Sequence, residues 1–332
     1  MEVRYTGHGI HLPAIDLWLD PAEDCGTAWL SHAHADHARG CHGTVIGTPE
    51  TLEIYTLRHR GEPIGADTLR PLPHGATYEI GPARLTSVPA SHILGAAQLL
   101  VELDGERLVY TGDIKLRPPL CGTQTEVVPC DHLIIESTFG LPIFHLLERD
   151  AARERIVAFA RECLASGETP VFLGYALGRG QEIAHVLCSA GIPTAVHGSI
   201  GRLVPIYERA GYAFPGLEAY DRNQTEGRAL VVVPSFRNVL AATGKGFRFA
   251  YVSGWAAMAN ARARTGAEEL IPWSDHADFD ELLALVEGTG ARRIDVVHGY
   301  AEAFANLLRQ RGLDAHAPRE AAARTVETEE VA

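Results

Sequence analysis

Apolar residues in the first half of the chain fall in short runs separated by turns, which predicts strands and loops. Thr27 to Leu30 is a brief apolar run entering Ser31-His32. Gln98 to Leu103 and Arg107 to Gly112 flank Asp104-Gly105, a strong hairpin signal. His132 to Glu136 reads as a buried strand. From Arg149 to Leu164 the spacing turns helical, with Ile156, Phe159, Ala160 and Cys163 on one face.

A regular alternation follows. Pro170 to Leu173 reads as a strand, Gly180 to Ala190 as a helix, and Thr194 to Val196 as a strand. Two further strands are expected at Ala229 to Val233 and Phe249 to Val252. Strands interleaved with helices predict a small parallel α/β unit. Asp278 and Glu281 resemble a capping box that opens a helix running to Glu287. A strand at Arg293 to Val297 and a helix at Ala301 to Arg311 complete the pattern. The Ala/Glu-rich stretch from Pro318 to Ala332 has no apolar face and reads as a frayed tail.

The 332 residues can bury one large core or two modest ones. No apolar run approaches a membrane span, and Glu2, Arg4 and His8 exclude a signal-peptide start, so a cytoplasmic protein with no membrane contact is expected. The six cysteines contain no C-x-x-C pair and read as free thiols. A net charge of -13 argues against coating nucleic acid through an overall field. It leaves room for local binding, because divalent cations neutralise acidic residues at one spot. Lys115 and Lys245 are the only lysines beside many arginines. Arg58-His59-Arg60 and Arg292-Arg293 read as ordinary helix-face or loop charges.

The most informative segment is Ser31-His32-Ala33-His34-Ala35-Asp36-His37. Its imidazoles and carboxylate, packed into one loop after a strand, suit a borderline cation such as zinc or manganese. His92, Asp113 and His298 recur near the ends of predicted strands and supply further donors.

The H-x-H-x-D-H motif with a later His and Asp resembles the metallo-β-lactamase fold. Ile134-Ile135-Glu136-Ser137-Thr138-Phe139, Ala176-Leu177-Gly178-Arg179-Gly180-Gln181-Glu182 and Ser274-Asp275-His276-Ala277-Asp278 resemble its nucleic-acid-processing branch, the β-CASP nucleases. In compact length the chain is most similar to the bacterial group of exonucleases encoded beside an ATP-dependent DNA ligase. The resemblance implies an αββα sandwich formed by residues 1-146 and 267-332, with an inserted α/β cap at 147-266. It assigns one metal ion to His32, His34 and His92 and a second to Asp36, His37 and His298, with Asp113 bridging. Zn2+ or Mn2+ is the expected cofactor. Asp20 would brace the histidine loop.

Two metal ions can neutralise a phosphodiester and activate water, which leaves the departing oxygen in need of a proton. The resemblance implies His276 as general acid and Glu136 as the carboxylate that orients it, and it counts Asp36 as catalytic as well as a ligand. Ser137, Arg179, Ser274 and the Gly198–Arg202 turn are candidate substrate contacts. The expected activity is DNA hydrolysis from a 5′ end in repair. An RNA nuclease of the same branch is the alternative. A small-molecule hydrolase would share the His32 loop without needing the cap or the His276–Glu136 pair.

Overall fold

The computed structural model describes residues 1–59, 64–244 and 246–319. Its contacts divide the chain into two compact units. The first comprises residues 1–118, 122–144 and the described residues from His276 onward; the second comprises 119–121 and 145–275.

The first unit is a two-sheet sandwich. Six short strands, from Arg4–Thr6 to Leu69–Pro71, pair in chain order in one sheet. The second sheet has seven strands. Thr77–Ile80, Ala83–Pro89, Ala97–Leu103 and Glu106–Tyr110 form an antiparallel meander. His132–Glu136, Arg293–Val297 and Ala315–His316 then extend it in parallel. The turn between Leu103 and Glu106 has positive φ at Asp104 and Gly105, which a two-residue hairpin demands. The facing sheets share one core, in which Leu12, Leu19, Trp29 and Ile46 from one meet Leu85, Val101, Leu108 and Ile134 from the other. Fully burying each such side chain stabilises by about 1.5–3 kcal/mol, which fixes the sheets as a scaffold for the loops at their ends.

Helices cover the sandwich. Pro49–Arg58 packs on the first sheet and Ala301–Gln310 on the second, giving the αββα arrangement. The Pro49 helix was not expected from periodicity; Thr48 caps it by accepting from the Thr51 amide, and proline stands in its first turn. At Phe279–Thr289 the capping box is formed, Asp278 accepting from the Glu281 amide and Glu281 from the Asp278 amide, each at 3.1 Å.

The second unit is a parallel six-stranded sheet. Across the sheet the strands run Leu217–Ala219, Thr194–Val196, Ala229–Val232, Thr169–Leu173, Phe247–Val252, Glu269–Ile271. The helix Arg149–Ala165 buries Ile156, Phe159, Ala160 and Cys163. Glu269–Ile271 pairs with Ala250 to Val252, so residues 267–275 belong to this unit, whereas the sequence placed its end at 266.

The six cysteines are free. Among the described residues no helix is long and apolar enough to cross a membrane. Arg60, Lys245 and most of the 318–332 tail lie outside the described residues.

Candidate metal centre

The histidine loop is held from below by one carboxylate. Asp20 ends the strand Leu17–Leu19 at φ +43°, in the left-handed region where aspartate is tolerated better than most residues. Its Oδ1 accepts from the Ser31 amide at 2.7 Å, and its Oδ2 accepts from Ser31 Oγ at 2.5 Å and Tyr110 OH at 2.7 Å. His37 Nδ1 also donates to Oδ2, at 2.7 Å. These four bonds lock a fully buried carboxylate and the loop above it.

The same network sets tautomers. Ser31 Oγ donates its hydrogen to Asp20 in a hydrogen bond and therefore accepts from His32 Nδ1–H, 2.9 Å away. His32 Nε2 is left with its lone pair, 3.1 Å from His34 Nδ1 and 3.5 Å from Asp113 Oδ2. His37 Nε2, on the far side of its Asp20 bond, lies 3.3 Å from Asp113 Oδ2 and 3.5 Å from Asp36 Oδ2. Burial, then the neighbouring His37 and His92, push His32 well below the usual imidazole range. Burial opposes charge on Asp113 too, but His37, His276 and His32 outweigh it and hold that carboxyl well below its usual range.

Asp113 reaches the cluster because Gly112 lets two loops touch. At φ +55°, a Cβ on Gly112 would stand 2.4 Å from Ser31 Cβ. The donors of His32, His34, His92 and Asp113 all lie within 4.8 Å of one another, with His92 Nε2 2.9 Å from His34 Nδ1. Four tetrahedral donors about 2.0–2.2 Å from one zinc ion are themselves separated by about 3.3 Å, so these side chains fit a metal. The His298 ring centroid lies 5.4 Å from that of His37. Four imidazoles and two carboxylates thus cluster together, with His298 beside the His37 ring, offering nitrogen and oxygen donors suited to zinc or manganese.

Glu136 and His276 form a separate pair beside this cluster. Glu136 is fully buried and accepts from the Ile114 amide at 2.9 Å, the Thr138 amide at 3.0 Å and His276 Nδ1 at 2.9 Å. His276 Nδ1, which donates to Glu136, also stands 3.9 Å from Asp113 Oδ2, and the ring packs edge-on against His92. The donors of Asp113, Glu136 and His276 also approach closely enough to hold an ion.

The expected substrate contacts fare differently. Ser137 is fully buried, and its hydroxyl donates to the His298 carbonyl at 2.6 Å. It braces the left-handed His298, at φ +58°, so its hydroxyl is engaged inside the fold. Arg179, 1% exposed, is likewise no surface contact: it pairs with Glu182 at 2.6 Å and Asp275 at 2.9 Å and lies over the Trp273 ring. Glu182 also accepts from the Leu120 amide and Trp273 Nε1, each at 2.9 Å. Gln181 bonds Gly178, Ala176 and Ile200 backbone atoms. The A-L-G-R-x-Q-E segment is therefore internal wiring of the second unit. Ser274 is buried there as well. Gly198–Gly201 forms one helical turn, closed by Ser199 on the His197 ring at 2.8 Å. Tyr110 and Ser31, which set the geometry around Asp20, escaped the sequence reading; a tyrosine at the end of an apolar strand carries no signal of its own.

Residues 267–318 match the family described as the Zn-dependent metallo-hydrolase RNA specificity domain. The chain is 33% identical over 320 residues to a probable DNA ligase of Opitutus terrae, covering 95% of this chain and 31% of that protein. It is 34% identical over 100 residues to an RNase J-like protein of Methanocaldococcus jannaschii, covering 30% of this chain and 24% of that protein. To subunit 3 of the cleavage and polyadenylation specificity factor of Dictyostelium discoideum it is 37% identical over 213 residues, 54% of this chain and 27% of that subunit. The chain thus spans about a third or less of these relatives. A crystal structure of a protein of unknown function from Enterococcus faecalis V583 shares the fold, with a TM-score of 0.61 at 16% identity over 89% of this chain and 79% of that one.

Proposed function

The chain belongs to the β-CASP branch of the metallo-β-lactamase fold, and on that premise we propose that it is a two-metal nuclease hydrolysing phosphodiester bonds of DNA. The observation that carries this reading is the convergence of His32, His34, His92 and Asp113 beside Asp36, His37 and His298. Bound by these residues, two divalent ions of zinc or manganese would supply positive charge to the phosphate and activate water at neutral pH. Asp113 lies within reach of both histidine groups and is the natural bridge between the two sites. Asp20 holds His37 and, through Ser31, His32 in the tautomers that ligation requires.

The chain's own proton chemistry falls to His276. Glu136 accepts a hydrogen bond from Nδ1–H, and its negative charge favours the imidazolium, so Nε2–H can protonate a departing sugar oxygen. A small-molecule hydrolase of this fold would have no use for that pair.

DNA is favoured because the similarity to a probable DNA ligase runs over nearly the whole chain. We read the activity as exonucleolytic trimming from a 5′ end, in cytoplasmic DNA repair alongside an ATP-dependent ligase. The RNA-processing reading rests on the RNA specificity domain at residues 267–318 and on the RNase J-like relative. End-labelled DNA and RNA of identical sequence decide between them. Faster loss of the DNA label, with mononucleotides released, is expected. Equal or faster cleavage of RNA would overturn the DNA assignment, and long internal fragments from a closed circle would overturn the exonuclease.

A further inference from the structure

Arg58 reads in the sequence as an ordinary helix-face charge, yet its side chain turns back onto the histidine loop. Its Nη1 donates to the Ala33 carbonyl at 2.5 Å. That carbonyl belongs to the peptide unit joining Ala33 to His34, and a planar peptide held at its oxygen is held at its nitrogen as well. The contact therefore bears on the backbone that carries the His34 side chain.

His34 has the greatest need of such a hold. Of His32, His34, His92 and Asp113 it is the one that is only half-buried, so packing confines it least. Its Nδ1 must nevertheless meet two other donors, standing 3.1 Å from His32 Nε2 and 2.9 Å from His92 Nε2. Asp20 secures His32 and His37. Arg58 acts on the ligand between them.

The helix that carries Arg58 is anchored at its other end to the loop that carries His92. Thr48 Oγ1 and Thr51 Oγ1 are buried and both donate to the Gly95 carbonyl, at 2.6 and 3.0 Å. Gly95, at φ +81°, seats so closely that a Cβ there would stand 2.8 Å from Glu50 Cβ and 2.9 Å from the Thr51 amide nitrogen. Tyr55, midway along, donates to the Gly40 carbonyl at 2.8 Å, just beyond His37. Pro49–Arg58 has 10 residues, about 15 Å of rigid helix. One element thus holds the His92 loop at its start and the His32–His34 loop at its end.

We propose that Arg58 is a positioning residue for the metal ion assigned to His32, His34 and His92, with its helix as the strut that relates the two loops. The inference rests on the reading of those three histidines as one metal site.

The test is zinc affinity. The full chain, stripped of metal and titrated with zinc against a chromogenic chelator, should bind two ions. Arg58→Ala, at an exposed position, should weaken one of them by about tenfold, the low end of what losing a ligand-orienting contact costs. The other ion should bind as before. Arg58→Lys should recover most of the loss, because an ammonium can still donate to one carbonyl. All three proteins should unfold at the same temperature in chelator, which a purely structural role would not give. Equal zinc affinity in Arg58→Ala and the parent overturns the proposal. So does tighter binding, which removing a nearby positive charge would produce by itself. A loss that Arg58→Lys does not recover, or one matched by a lower unfolding temperature in chelator, makes Arg58 a general stabiliser and overturns it too. A parent chain that binds no zinc is a distinct result: it sinks the metal reading and this inference with it.

Discussion

His276 Nδ1 lies 2.9 Å from Glu136 Oε1, and both side chains are buried beside the histidine cluster. On the proposed mechanism, that pairing assigns proton donation to His276 and leaves metal binding to the histidine cluster. His276→Ala should retain the bound metal and the fold yet slow cleavage of the natural diester by roughly 10²–10⁴-fold. The loss should shrink for a nitrophenyl phosphodiester, whose anion leaves without a proton. Glu136→Gln should give a milder version. Metal release from His276→Ala, or equal loss on both substrates, would make His276 a ligand, which its approach to Asp113 and Glu136 also permits.

Asp20 touches no predicted ligand except His37, yet it controls two. Asp20→Asn should lower metal affinity by about 10–100-fold, the usual effect of losing a carboxylate that orients ligating histidines. Competition with a chromogenic chelator measures this directly. Unchanged affinity would show that the loop keeps its geometry without the charge.

Arg179→Ala should act on stability. Removing the guanidinium leaves Glu182 and Asp275 buried without their cation, at a cost of about 3–5 kcal/mol. The salt dependence of DNA binding should not change, because no phosphate contact is lost. A flatter salt dependence in a variant of normal stability would restore Arg179 to the substrate surface.

Asp295 gives the first unit an acid-sensitive tie. Burial alone would raise its carboxyl, but hydrogen bonds from His132 and Tyr5, with Arg293, outweigh it and hold the group below the usual range. A depressed folded-state pKa contributes stability above the unfolded value of about 3.9, and that contribution is lost as pH falls through the folded value. Asp295→Asn should therefore destabilise most at neutral pH, and its difference from the parent should narrow toward pH 3. A constant difference across that range would contradict the assignment.

Much of this architecture is legible in the chain itself. The run His132–Glu136 announces a buried strand, and Asp104-Gly105 announces the hairpin of Ala97–Leu103 and Glu106–Tyr110, because both signals are local. The density of histidine and aspartate between Ser31 and His37 marks the centre for the same reason. What the sequence hides is long-range. Glu269–Ile271 is three residues long, and only its pairing with Phe247–Val252 shows which unit it joins. Nothing local says that Arg179 is buried against Asp275, that Ser137 faces the His298 carbonyl, or that Tyr110 reaches Asp20 across 90 residues. A polar side chain reads as a surface contact until its partner is seen.

The most direct measurement combines metal content with cleavage. The purified chain is assayed on end-labelled DNA before chelation, after it, and after zinc or manganese is restored, with metal counted by elemental analysis at each stage. Up to two ions per chain are expected, together with loss of cleavage in chelator and recovery on readdition; His32→Ala and Asp113→Ala should bind less metal and fail to recover. Cleavage that survives chelation in a protein free of specifically bound metal would contradict the account at its centre.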